Sequence, residues 1–133
     1  KKIDQGGEDS FSLLPAFKGK PKTSRSTLIS HSISGHFSIR QGDWKLCLSA
    51  GSGGWSAPKE NEAKKQGLPP IQLFNLKQDN AEKNNLQAQN QTKVQELIEL
   101  LDTEVKNGRS TAGKKVPNDR EVSYLPKGFS LPQ

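Results

Sequence analysis

Between His36 and Ser49 apolar and polar residues alternate on both sides of one dipeptide, Gly42-Asp43. Glycine at the first position of a two-residue loop suits a type II′ turn, whose twist matches the strands it joins. Such a turn fixes the register. Gln41 then faces Trp44, Arg40 faces Lys45, Ile39 faces Leu46, Ser38 faces Cys47 and Phe37 faces Leu48. One face collects Phe37, Ile39, Trp44, Leu46 and Leu48, and the other collects Arg40, Lys45, Ser38 and Cys47. Slipping the pairing by one residue would scramble that sorting, so the hairpin His36–Gln41/Trp44–Ser49 is the part of the fold the sequence constrains most.

Two more strands follow the same logic. Thr27–Ser32 is β-branched and apolar at its start, and Ile33-Ser34-Gly35 supplies the turn into the hairpin. Ile71–Leu76 places Ile71 and Leu73 on one face and Phe74 and Leu76 on the other, the pattern of a strand covered on both sides. The segment from Ala50 to Pro70 reads as a long connection carrying Gly51-Ser52-Gly53-Gly54-Trp55, and Lys77 to Gln89 reads as polar turns. From Gln91 to Asn107 the residues Val94, Leu97, Ile98, Leu101 and Val105 recur at helical spacing and form one stripe. Thr92 and Gln95 fit a capping box, and Gly108 falls where a left-handed residue ends a helix. Upstream, Asp9 or Ser10 is expected to cap a short turn through Phe11, Leu13 and Leu14, confined by Pro15 and Gly19. Beyond Arg109, scattered Val122, Tyr124, Leu125, Phe129 and Leu131 read as a tail draped over a surface in extended form. The fold class is α+β: a small four-stranded antiparallel sheet packed by one C-terminal amphipathic helix, with an irregular N-terminal segment and an extended tail. Residues 1–26 form that segment and a linker, 27–108 the domain (sheet 27–76, helix 91–107), and 109–133 the tail.

Composition says what this core lacks. Only 30% of the 133 residues are hydrophobic and 12 are glycine, together below the ~45–50% of a self-sufficient domain. A thin core of this kind is expected to be completed by another surface. The absence of methionine points the same way, to a piece of a longer chain. No run reaches the ~18 apolar residues of a membrane span. A single cysteine excludes a disulfide framework and a cysteine-rich zinc site. The net charge of +6 favours acidic partners, with cations gathered in Lys18, Lys20, Lys22 and Arg25 and in Arg109, Lys114, Lys115 and Arg120. Arg40 opposite Lys45 calls for an acid between them, from Asp43, a neighbouring domain or a ligand, unless both chains splay into solvent.

Catalytic chemistry is missing. Gly108 to Lys115 approaches a phosphate-binding loop but ends in Lys115 where a Ser or Thr must stand, and it follows a helix. Cys47 has no histidine neighbour in the deduced register and reads as a small buried thiol. His31 and His36, five residues apart across a turn, lack a carboxylate to complete a metal set. Trp55 in its glycine-rich loop must either pack on a neighbour or meet a ligand. No catalytic residue and no metal ligand is assigned to the chain.

Four stretches in order resemble the C-terminal part of a type I sulfatase, of the arylsulfatase family. Asp9-Ser10 with Leu14-Pro15 and Gly19 is similar to the segment that opens that region. Phe37 to Leu46 resembles its Ile-Arg-x-Gly-Asp-Trp-Lys-Leu hairpin. Gln72 to Leu76 with Asp79, Glu82, Asn85 and Leu86 matches a following run, and Gly108-Arg109-Ser110-Thr111-Ala112-Gly113 matches another, with Ala112 in place of a proline. The resemblance spans about Asp9 to Gly113. It implies a parent enzyme, a sulfuric ester hydrolase, that cleaves sulfate esters with a formylglycine and a calcium ion. Both would lie in an N-terminal alkaline-phosphatase-like catalytic domain on which this piece docks, in a periplasmic or secreted protein. Formylglycine cannot arise here, because Cys47-Leu48-Ser49-Ala50-Gly51 lacks the arginine that the modification motif needs at its fifth position. The fragment alone is thus expected to be inactive, serving structural support and, through His31, Ser52 and Trp55, contact with a sulfated substrate. The resemblance implies neither nucleic acid nor a membrane span. Two other readings compete with it: a free-standing basic polyanion-binding module, and a purely structural cap on a larger domain. Against the first, aromatic residues for base stacking amount to only 6% and the cations do not stripe one element.

Overall fold

The structure, a computed structural model, describes Gly7 and residues 9–20 and 25–130. Residues 1–6, 8 and 21–24 of the N-terminal segment and linker, including Lys22 of the first basic cluster, and 131–133 of the tail, including Leu131, lie outside the described residues.

Strands β1 (Thr27–His31), β2 (Phe37–Gln41), β3 (Trp44–Cys47) and β4 (Gln72–Asn75) form one antiparallel meander in the order β1-β2-β3-β4. The hairpin register is the expected one: Gln41 opposite Trp44, Arg40 opposite Lys45, Ile39 opposite Leu46 and Ser38 opposite Cys47, with the Leu48 amide donating onward to the Phe37 carbonyl. Gly42 carries φ +58°, which an L side chain at the first loop position would resist. Across the sheet Ile29 pairs with Ile39 and Leu46 with Leu73, so a single apolar row runs through all four strands on one face.

Helix α3 (Gln91–Asn107) covers that row. Its buried Val94, Leu97, Ile98 and Leu101 join Ile39, Leu46, Leu48, Ile71 and Leu73 in the core cluster, and Gly108 closes it in the left-handed conformation at φ 63°. The helix start differs from expectation. Asn90 is the N-cap and bonds the Leu86 carbonyl, while Thr92 sits inside the first turn and Gln95 turns to Glu99. The tail supplies the rest of the cover, since Tyr124, Leu125 and Phe129 pack against the cluster without regular structure. The Tyr124 hydroxyl donates to Asp102 at 2.6 Å, and burial plus that bond push it up to about 12.

Two helices depart from the sequence reading. Helix α1 (Leu14–Phe17) starts later than the turn expected from Asp9 or Ser10, with Pro15 inside its first turn, where a missing N–H costs nothing. Helix α2 (Glu60–Lys65) interrupts the segment read as a plain connection. Glu60 and Glu62 in its first turn and Lys64 and Lys65 in its last complement the helix dipole, and only Ala63 is buried.

On the second face of the sheet Phe74 is buried but Leu28 is 47% exposed. Glu82 is the acid that meets Lys45, and it does so without bridging to Arg40. Lys45 Nζ reaches its carboxylate at 2.7 and 2.9 Å, and Arg40 turns its Nε to the Gly42 carbonyl. Glu82 adopts φ 54° to make this contact. Its neighbours in the same run also act as braces. Asp79 accepts from the Lys83 and Asn84 amides, and Asn85 accepts from the Leu73 amide and donates to the Ile71 carbonyl. Asn85 and the Leu86 amide thus occupy the open edge of β4, which blocks pairing with another strand.

Candidate functional site

The loop from Ser49 to Glu60 leaves the end of β3 and turns back on itself under several clamps. Gln72 Nε2 donates to the carbonyls of Ser49 and Gly51, both at 2.9 Å. One Glu60 carboxylate oxygen accepts from the amides of Ala50 and Gly51, both at 3.0 Å. Burial acts to raise the pKa of Glu60, but the Gly51 and Lys64 hydrogen bonds and the charges of His36 and Lys64 outweigh it, and the carboxyl sits below its ordinary range. The Ser52 amide donates to the Pro58 carbonyl, and the Ser52 hydroxyl both donates to the Ser56 carbonyl at 2.6 Å and accepts from the Gly54 amide. Gly53 (φ +71°) lies against Ser32 and His36 of the β1–β2 turn.

Trp55 stands on this frame, 83% exposed. The loop's Gly53 and Gly54, but not Trp55, line a groove of about 470 Å³ together with Ser34, His36, Lys59, Glu60, Glu62 and Lys65, among others. His31 belongs elsewhere. It borders a second groove, of about 320 Å³, with Arg25, Glu104, Arg109 and Ser110, and its ring lies 5.9 Å from Phe37. The His31 side of β1 and the Ser52–Trp55 loop therefore border different grooves. His36, read from sequence only as a weak metal partner of His31, is the histidine beside Gly53 and Gly54. Among the described residues no group of three His, Cys, Asp or Glu side chains is arranged to hold a metal ion. Burial pushes the Cys47 thiol up to about 11, which makes it a poor nucleophile at neutral pH.

At the second groove the segment around Asp9 is tied to the loop after α3. Asp9 Oδ1 accepts from the Ser110 amide at 2.6 Å and the Ser110 hydroxyl at 2.7 Å, while its carbonyl accepts from Arg25, whose guanidinium also stacks on Phe11 at 4.5 Å. Arg109 is held by Thr111 and the Lys114 carbonyl. Two arginines of the basic clusters are thereby committed to internal structure. Glu104 takes a 2.5 Å bond from Thr27 on one carboxyl oxygen and leaves the other buried without a partner. Burial raises its pKa, opposed by the Thr27 bond. A carboxyl raised on folding stabilises the fold at low pH, and that contribution fades as pH rises through the folded pKa. Glu104→Gln keeps an acceptor for Thr27 without the charge, so it should stabilise the chain at pH 7 and have little effect at pH 4. Urea midpoints at the two pH values check this, and an equal shift at both would contradict it.

Sequence reasoning missed Glu60 and Glu104, and singled out Gln72 and Glu82 as motif residues without their partners. Each acts across the fold on a partner at least nine residues away, and no local spacing announces such a contact.

No helix among the described residues is long and apolar enough to cross a membrane. No protein-family model and no curated protein matches the sequence. Among solved structures the chain is similar to a sulfatase of Bacteroides thetaiotaomicron designated BT33336S-sulf, from work on the metabolism of multiple glycosaminoglycans by a versatile core genetic locus. The likeness has a TM-score of 0.59 at 28% identity and covers 77% of this chain but only 21% of that one. In fold, and in sequence at 28% identity, the chain is thus similar to about a fifth of a larger sulfatase.

Proposed function

We propose that the chain is the C-terminal domain of a type I sulfatase, docked on an N-terminal alkaline-phosphatase-like domain that supplies the formylglycine and the calcium ion. The observation that carries this reading is the sulfatase likeness over 77% of the chain. The structural roles of the motif residues support it. Asp9 with Ser110, Lys45 with Glu82, and Asn85 with the β4 edge are joints of the fold, so their joint presence is a signature of this architecture rather than of a reactive centre. The domain gives structural support and contributes to the substrate cleft through two separate surfaces, the groove beside His31 and the Ser52–Trp55 loop. The neighbour's glycosaminoglycan setting favours a sulfated sugar as substrate and a periplasmic or secreted protein.

The test is to express the longer protein encoded around this sequence. It is expected to release sulfate from sulfated saccharides, while the 133-residue chain alone releases none. Trp55→Ala in the longer protein should raise KM about tenfold on saccharide sulfates. Absence of sulfate-ester hydrolysis in the longer protein, or turnover by the isolated chain, would overturn the reading.

A further inference from the structure

We propose that a third groove, between the Phe11–Leu13 segment and the second face of the sheet, is the surface through which this chain packs on the rest of the longer protein, and that the partner surface carries a carboxylate for Arg40 set among aliphatic side chains. The inference rests on the functional reading above for the existence of that longer protein, and goes beyond it in naming the face that docks and the chemistry that holds it.

Helix α1 is entirely apolar, Leu14-Pro15-Ala16-Phe17, yet it buries none of its residues. Four residues fall far below the ~12–15 at which an isolated helix holds itself in water. Of the seven large hydrophobic side chains exposed among the described residues, four are Leu13, Leu14 and Phe17, in α1 and its N-cap, and Leu28 on β1. Leu13 and Leu28 line one groove of about 410 Å³, with Phe11, Thr27, Arg25 and Arg40 among its other walls. Exposed apolar side chains that stand together rather than singly mark a surface made to be covered.

The charges select what covers it. Leu28, Arg40, Lys45 and Phe74 stand in one row across the four strands. Phe74 is buried and Lys45 has Glu82, which leaves Arg40 as the cation of the row without an acid. Its Nε donates to the Gly42 carbonyl at 2.9 Å, and among the described residues it is in no ion pair, with Asp43 or any other acid. Arg25, the second guanidinium of the groove, is engaged with the Asp9 carbonyl at 2.7 Å and the Phe11 ring. No described acid lines the groove. A guanidinium fork beside apolar walls suits a carboxylate bound through two parallel hydrogen bonds. The same groove on a second copy brings cations and no carboxylate, so self-association does not satisfy it. The rest of a longer protein can supply one, and the chain matches only 21% of the sulfatase to which it is similar.

The test compares amide hydrogen exchange of the 133-residue chain with that of the longer protein. Peptides covering residues 11–17 and 26–30 should exchange at least tenfold more slowly in the longer protein, while those covering β3 and β4 should exchange alike in both. Arg40→Glu and Leu13→Asp should each remove that protection in the longer protein. Both side chains are exposed in the chain alone, so neither substitution should move its urea midpoint appreciably. Arg40→Lys, which keeps the charge but not the fork, should retain part of the protection. If Arg40→Glu keeps the longer protein from folding, Arg40→Gln removes the charge without reversing it and is expected to lose protection likewise. Equal exchange of these segments in the two proteins, or undiminished protection in the Arg40 and Leu13 variants, would overturn the proposal. So would protection that rises with concentration in the 133-residue chain by itself, which would make the groove a contact between copies. Sulfate-ester hydrolysis is measured on the same longer protein. Its absence beside intact protection overturns the enzymatic reading alone, and its presence without protection overturns the docking alone.

Discussion

Leu46→Ala is expected to lower the stability of the chain by about 2–5 kcal/mol, against a total of ~5–15 kcal/mol for a domain of this size. Leu46 is fully buried in the middle of the sheet, between Ile39 on β2 and Leu73 on β4, within the cluster that α3 completes with Leu97 and Leu101. Truncation removes apolar surface from a core only one helix deep, and the hydrogen-bonded strands on either side prevent the backbone from closing the gap. Leu28→Ala is the matched control, because Leu28 is 47% exposed on the opposite face and its truncation should cost about 0.5 kcal/mol or less. Urea unfolding of both variants measures the contrast. A loss under 1 kcal/mol for Leu46→Ala would mean that stability resides elsewhere than in this sheet–helix layer.

The layer that this substitution probes was the legible part of the chain. The Gly42-Asp43 turn, the alternation on either side of it and the stripe from Val94 to Val105 are local patterns, and each period maps directly onto a backbone geometry. What escaped sequence reading is of two physical kinds. Helix α2 buries one side chain, Ala63, so it carries almost no hydrophobic period, and its only local signal is the order of acids before lysines. The partners Glu60, Gln72, Glu82 and Asn85 bind backbone or charge across the fold, where composition tells nothing about distance. The same limit governs the site. Trp55 could be singled out by residue type, but whether it packed or stood free depended on clamps contributed by α2 and β4. His31 could be placed near a strand end, yet which side of the sheet's rim it joined depended on Asp9, Arg25 and the Arg109 loop converging there.

Those clamps make Gly51 the position at which fold and site separate. Gly51→Ala is expected to raise the KM of the longer protein on saccharide sulfates about as much as Trp55→Ala does, while leaving the hairpin intact. A Cβ at Gly51 would lie 2.5 Å from the Pro58 carbonyl oxygen, 2.8 Å from the Lys59 carbonyl carbon and 2.9 Å from the Glu60 nitrogen, all backbone atoms that cannot rotate away. The returning limb of the loop must therefore move. Doing so breaks the Glu60 bonds to Ala50 and Gly51 and the Gln72 bond to the Gly51 carbonyl, at about 1–3 kcal/mol for an overpacked site. Gly54→Ala is the steric control on the same loop, since a Cβ there meets nothing within 4 Å, and it should be as stable as the parent chain. Acid offers a second route to the same loosening. Glu60 is held below its ordinary range, so the stability its charge confers is present above the unfolded-state pKa and is lost as pH falls through the folded value. The Glu60 clamp in the parent chain should accordingly loosen only in acid below the usual carboxylate range, and a Glu60→Gln variant should start from the loosened level and lose that part of the pH dependence. An unchanged KM in Gly51→Ala, with Phe37–Leu46 amide shifts unchanged, would show that the indole needs no frame to hold it.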